Sequence, residues 1–588
     1  MSDPTSADPA PPDPTPDSPP DDFMDRPLGA GIDFTDPNSP LAPLYASVTG
    51  ILAVALIGAM TVLYAVMPMQ HTDVWAHLKY GQWIVEHREF PVHEPLSEFT
   101  DKSAEMYHQC WLGQVIYAGA FSAGQSLGGS DPVKRFFGGV EVLRQVQVAA
   151  VAAMFAGLWV AFRRSADSGS LALLGVLMVF FGGFTAIGTF RPQVFGLVLF
   201  AVFLAMLSRP VLSKVAVGAI PVLLLLWANL HGSFAVGFVV LGLAWIGRVI
   251  EAAWAGKGGR VKAVLADSGV RRLTLAIVLG LVAACLTPAG PKIYLNVLTF
   301  GRHPNLKTLL EWEPIDLLST GKGGTLYIAL AGLLVVSHVL ATVFTRTWLR
   351  PGQYLMLALF AATPFLQQRM MTWWLLVSVW LMMPLLSAVA GRWKLVWRRS
   401  TPSLRKTILA VLVTAPFLFL NPLVTWLTAG GPPEKNLPSS LTAGTPLELA
   451  GVLADPQGYS GERLKPLAEA LKADYAGRTL GPVFCSPELG EFLFWRNIPG
   501  APPVRYTHAH LFTPEHWMAC QRAANGQGWS EWMDTLKVNV IAVEPDYYAP
   551  LVEAVGKSDG WKVVVHETGE KGPREPRARL FIAVRKVK

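Results

Sequence analysis

The feature that most limits what this chain can fold into is a succession of apolar runs close to the length of a bilayer crossing. Spanning about 30 Å of hydrocarbon takes roughly 20 apolar residues in a helix. Runs near that length occupy Leu44 to Met67, Val140 to Phe162, Leu171 to Thr189, Val194 to Leu207, Val215 to Asn229, Phe234 to Trp254, Leu273 to Pro288, Leu326 to Phe344, Gln353 to Phe365, Trp373 to Ala390 and Ile408 to Leu427. The pattern predicts a polytopic α-helical membrane protein of about eleven spans. Composition agrees, with 52% of the 588 residues apolar and only 15% charged, against about 25% charged in soluble domains. Trp111 to Gly128, interrupted by Gly, Gln and Ser, is expected to lie along the interface.

The Lys and Arg residues behind the formal charge of +7 fall in short clusters between apolar runs, where they set topology; no nucleic-acid partner is expected. With the N-terminus inside, parity puts Arg163-Arg164, Arg209 with Lys214, Lys257 to Arg272, Arg346 with Arg350, and Arg392 to Lys406 all on the cytoplasmic side. Residues 1–43, rich in Pro and Asp, read as a disordered cytoplasmic tail. The first span is too long for a cleaved signal and is expected to stay as an anchor. Four cysteines show neither a C-x-x-C pair nor zinc spacing, so no metal ligands are assigned; Cys485 and Cys520 could pair if oxidised.

The same parity gathers the unusual polar residues on the outer face. A loop at 69–139 holds Asp73, His77 and His108; Arg191 and His231 sit in short turns; Glu311-Trp312-Glu313 lies in a longer loop, and Arg369 precedes a span. Asp73, just past the first span, is expected to be partly desolvated and raised in pKa toward that of a general base, with His77 one turn on. Arg191 and Arg369 suit a phosphate by bidentate hydrogen bonds, or are snorkelling anchors. Trp312 reads as a sugar-stacking ring between carboxylates or as an interfacial anchor. His108 and His231 join the list of substrate-binding candidates.

The run Thr72-Asp73-Val74-Trp75-Ala76-His77-Leu78, followed by His108-Gln109-Cys110-Trp111-Leu112, Arg191-Pro192-Gln193, Trp227-Ala228-Asn229-Leu230-His231-Gly232, Leu310-Glu311-Trp312-Glu313 and Glu488-Leu489-Gly490-Glu491-Phe492-Leu493, resembles a bacterial group of multi-pass proteins related to the GT-C superfamily of glycosyltransferases. The resemblance covers nearly the whole chain after the tail. It implies a polyprenyl-phosphate-linked sugar donor, an extracytoplasmic glycan, lipid or protein acceptor, and a catalytic base at Asp73. Two departures stand out: Asp73 has no acidic neighbour in sequence, and Cys110 takes the place of the acidic residue expected before Trp111. A divalent metal cofactor is therefore left open.

After the membrane region, 44–428, the charge density rises and apolar runs shorten. Segments 482–484, 538–543, 561–565 and 579–584 read as strands, and Leu464 to Tyr475 and Pro514 to Ala524 as helices. Residues 429–588 are thus expected to form a small extracytoplasmic α/β domain. His508, His510 and His516 lack regular ligand spacing. The function expected is sugar transfer at the cytoplasmic membrane; the alternatives are a lipid-linked glycan transporter and a non-catalytic assembly or sensor protein.

Overall fold

A computed structural model describes residues 46–70, 72–256, 259–318, 323–395, 401–429, 441, 445–568 and 579–587. The tail at 1–43 and the junction at 430–440 lie outside the described residues. The chain opens with α1 (Val48–Val66), α2 (Val74–His87), α3 (Trp111–Ser126), α4 (Pro132–Ala166), α5 (Gly169–Gly188), α6 (Gln193–Leu207), α7 (Lys214–Leu230) and α8 (Phe234–Ala255). It continues with α9 (Arg260–Ala266), α10 (Ser268–Ala284), α11 (Lys292–Phe300), α12 (Gly324–Thr345), α13 (Pro351–Ala362), α14 (Met371–Arg392), α15 (Leu404–Phe419) and α16 (Pro422–Ala429).

This is a multi-pass membrane architecture, and each apolar run read from the sequence is largely helical among the described residues. The span count of about eleven is not matched: among the described residues 6 helices are long and apolar enough to cross, or up to 7 if the bent pair of α15 and α16 is one span. The difference is length. At 1.5 Å per residue, α6 with 15 residues and α13 with 12 fall well short of about 30 Å of hydrocarbon.

Helix α3 packs between α2 and α4 through glycines. A Cβ at Gly81 would stand 2.0 Å from the Gln114 carbonyl oxygen, and one at Gly124 would stand 2.1 Å from that of Gly138, so these backbones touch where only hydrogen fits. In α4, Arg144 and Glu141 form a buried pair of the kind a transport pathway would use. Its bonds are structural: Arg144 Nη1 donates to the Ala65 and Met67 carbonyls at 3.0 and 3.3 Å, satisfying the end of α1, which has no basic residue in its last turn.

The C-terminal region carries a four-stranded sheet of β1 (Val483–Cys485), β2 (Val540–Val543), β3 (Trp561–His566) and β4 (Phe581–Arg585) in the order β1-β2-β4-β3. The β1–β2 pair is parallel and the others are antiparallel. Around it stand α17 (Leu447–Ala454), α18 (Lys465–Asp474), α19 (Pro487–Arg496), α20 (Pro514–Ala524), α21 (Trp529–Thr535) and α22 (Ala549–Gly556). Cys485 and Cys520 are buried free thiols, and Cys520 Sγ accepts from Trp532 Nε1 at 3.4 Å, so the pairing left open by the sequence is not formed.

This domain is docked onto the polar loops. Trp75, Leu78 and Phe121 share one buried core with Leu449, Leu489 and Phe492. Asn305 Nδ2 donates to the Ala509 and Phe512 carbonyls at 2.8 and 2.9 Å, and Trp517 Nε1 to Thr308 Oγ1 at 2.9 Å. Glu94, 2% exposed, accepts from Tyr80, Ser97 and Thr100, and Tyr80 meets the Tyr506 hydroxyl at 2.7 Å. The polar stretch after α1 is therefore the seat of the domain, and α2 is its contact helix.

Candidate active site

Asp73 occupies the N-cap position of α2, a place where Asp normally folds back onto the first-turn amides. Here its side chain makes no capping hydrogen bond, whereas Asp131 and Asp267 at the starts of α4 and α10 do. The freed carboxylate faces Arg191, whose Nε lies 3.8 Å from Oδ1, and His77, whose Nε2 lies 3.8 Å from Oδ2. Thr72 links the two sides: its hydroxyl donates to Asp73 Oδ1 at 3.2 Å and accepts from Arg191 Nε at 2.6 Å.

Arg191, in the turn between α5 and α6, gives its Nη1 to Glu311 Oε2 at 2.5 Å. Arg369, in the short helical turn Gln368–Met370, approaches Glu311 Oε1 at 3.9 Å and lies over the Trp312 ring at 4.5 Å. Arg191 and Arg369, from opposite sides of Glu311 in sequence, thus meet on one carboxylate. Asp73, Arg191, Glu311 and Arg369 keep 28%, 26%, 33% and 25% of their side chains exposed, so they are partly open to solvent and not sealed in a core.

The electrostatics correct one expectation. Burial pushes the Asp73 carboxyl up, but Arg191 and then His77 outweigh it and hold the pKa below the usual carboxylate range. The raised value expected of a general base does not occur, because Arg191, distant in sequence, is adjacent in space. Glu311 is likewise lowered, by Arg191 and Arg369 against burial. Burial, with the charge of Arg369, depresses His231 to about 3; burial depresses His510 to about 3 as well and His508 well below its ordinary value. These imidazoles are neutral at pH 7.

The Gln114 amide donates to His77 Nδ1 at 3.1 Å, which in the neutral ring leaves the proton on Nε2, facing Asp73. His77 Nε2 thus faces the Asp73 carboxylate at 3.8 Å, an electrostatic contact longer than a hydrogen bond. His231 Nδ1 accepts the Ser233 backbone N–H at 3.0 Å, and its ring is close enough to Arg369, His77 and Asp73 to feel their charge. Glu313 fastens the neighbouring turn, its carbonyl accepting the Gln368 N–H at 2.6 Å. His108 stands apart: its Nε2 meets the Pro91 carbonyl at 2.9 Å and its ring packs on Phe90, a loop pin rather than part of the Asp73 group. Trp312 has Arg369 on its ring, so that face is not free for a sugar.

Two residues at the site were named from the sequence without being assigned to it. Glu491 of α19 reaches back to α2, accepting the Ala76 N–H at 3.0 Å, and the His508 ring packs against His77 with centroids 4.7 Å apart. A carboxylate between Gly490 and Phe492 in an apolar helix was the available signal for the first.

No family model matches the sequence, and no curated protein matches it. In structure, the chain is similar to the oligosaccharyltransferase of Archaeoglobus fulgidus. The apo crystal structure gives a TM-score of 0.51 at 11% identity over 86% of this chain and 71% of that one. The form tethered by a disulfide to an acceptor peptide containing the NVT sequon gives 0.50 at 12%, over 85% and 70%. The likeness is one of fold.

The residues around Asp73 do not suit the divalent metal that the sequence left open. Among the described residues no group of three His, Cys, Asp or Glu side chains is placed to hold an ion. The guanidinium of Arg191 lies between Asp73 and Glu311, in the position from which a cation would bridge them. Cys110, in place of an acidic residue, is a thiol that burial pushes up to about 12, a neutral group at neutral pH.

Proposed function

We propose that this protein is a membrane glycosyltransferase that moves a sugar from a polyprenyl-phosphate carrier to an acceptor on the extracytoplasmic face of the cytoplasmic membrane. The observation that carries this reading is the convergence of a carboxylate released from helix capping, Asp73, with Arg191, and of Arg191 and Arg369 on Glu311, all partly exposed. In the reaction, Arg191 and Arg369 hold the carrier's phosphate oxygens and stabilise the charge that grows as the sugar–phosphate bond breaks. The acceptor's hydroxyl or amide attacks the anomeric carbon and its proton passes to Asp73, which His77 faces. The carrier leaves as its phosphate.

The acceptor class is a glycan, a lipid or a protein, and the similar archaeal enzyme solved with an acceptor peptide makes a peptide the first to try. Purified protein in liposomes, given polyprenyl-phosphate-linked sugars, should release carrier phosphate and transfer label to an added acceptor. A complete absence of sugar release across monosaccharide and oligosaccharide donors would overturn the reading.

Topology is tested separately. The basic 392–406 loop is expected inside, and the C-terminal domain, one crossing further along through α15 and α16, outside. A reporter fused after Arg399 should therefore read cytoplasmic and one fused after Lys435 extracytoplasmic. Reports from the same side would remove the domain from the face on which the acceptor is proposed to bind.

A further inference from the structure

Helix α2 begins with an arrangement that needs explaining: its own N-cap aspartate leaves the first-turn amides alone. The acceptor that replaces it comes from 415 residues further along the chain, where Glu491 Oε1 takes the Ala76 N–H at 3.0 Å. Glu491 is fully buried, with the Thr507 backbone amide also near its carboxyl. Its helix is pressed onto α2 by Trp75, which meets Phe492 and Trp495 at 5.0 Å each, and by the Trp495 Nε1 bond to Gln82 at 3.2 Å. Thr507 adjoins His508, whose ring touches His77. The Glu491 Oε2 atom is buried and accepts no hydrogen bond, an arrangement that suits a neutral acid and not a carboxylate.

We propose that Glu491 is a positioning residue that caps α2 in place of Asp73, so that docking of the C-terminal domain is what leaves the Asp73 carboxylate free to act as base. The inference rests on the proposed transferase reaction. It adds that the outer domain takes part in catalysis by setting the base as well as by offering a surface to the acceptor. Burial, with Asp73 close by, raises the Glu491 carboxyl well above its ordinary value, in keeping with a side chain that serves as a neutral acceptor.

Without Glu491, the Ala76 N–H is left without its acceptor and the nearest replacement is Asp73 itself, rotated into the ordinary capping position. A base displaced by about 1 Å loses on the order of 10²-fold in rate. In the full-length protein, Glu491→Ala should therefore lower kcat by about that factor while KM for the lipid-linked donor stays within about twofold. Glu491→Gln keeps Oε1 and neutrality and should retain near-normal kcat. Glu491→Asp is one methylene too short to reach Ala76; it should behave like the alanine variant and stands in for it if that protein does not insert.

Normal kcat in both Glu491→Ala and Glu491→Asp, alongside an inactive Asp73→Asn, would overturn the positioning role and leave the transferase reading standing. An inactive but folded Glu491→Gln would also overturn it, because a titrating carboxyl would then be required. Full activity of Asp73→Asn would instead remove the reaction on which the inference rests.

Discussion

Asp73→Asn should leave a protein that inserts, folds and binds donor but transfers sugar about 10²–10⁴-fold more slowly, the usual contribution of a general base. The substitution keeps shape and one carbonyl acceptor, and it removes the capacity to take a proton together with the negative charge that faces Arg191. A capping role for Asp73 would have made Asn harmless, since Asn caps helices about as well as Asp; the side chain makes no capping bond. The pH dependence carries a sign. Arg191 and His77 depress the Asp73 pKa against burial, so the free enzyme keeps its carboxylate ionised below the usual range, and the acid limb of kcat/KM from this group lies there. Once a donor phosphate engages Arg191, less positive charge acts on Asp73. The acid limb of kcat should therefore lie at higher pH than that of kcat/KM, and a common limb for both would argue against phosphate at Arg191. Transfer by Asp73→Asn at near-normal rate would end its assignment as base.

The second large effect is expected at the two arginines. Arg191→Lys keeps the charge but cannot hold two oxygens in one plane, and it gives up a planar fork that here serves Thr72 and Glu311 at once. Charge-assisted hydrogen bonds are each worth about 1.5–3 kcal/mol, so donor affinity measured by titration should fall by about tenfold or more. Arg369→Lys should show a smaller loss, because its contact with the Trp312 face partly survives as a cation–π pair. Membrane anchors would tolerate Lys, and unchanged affinity in both variants would take them out of the site.

Much of the architecture could be read from local pattern. Apolar runs located the membrane helices, and short apolar segments located β1 to β4, because both depend on residues close in sequence. Crossing length was less legible: α6 and α13 are apolar throughout but end early, at Ser208 and Thr363. At the site, Asp73, His77, Arg191, Glu311 and Arg369 stood out as polar groups at helix ends and do converge. What sequence could not supply was their mutual field. Asp73 was expected to rise by desolvation, and the guanidinium that reverses the shift arrives from the far side of α5. His108 looked like its neighbours in the loop until Pro91 was seen to hold it. Glu491 belongs to a stretch that carried only a resemblance, because its partner on α2 lies 415 residues away.

The bond between Arg191 and Glu311 has a consequence for turnover. Glu311 already sits where an incoming phosphate would bind, so on the proposed reaction the donor enters by exchange, one anion displacing another. Part of the attraction between carrier and arginine is therefore cancelled in advance. The same carboxylate is waiting when the sugar has gone, and its return to Arg191 favours expulsion of the spent carrier, which otherwise carries much the same charged headgroup as the donor and would compete with it. A resident carboxylate of this kind trades tightness of donor binding for speed of product release.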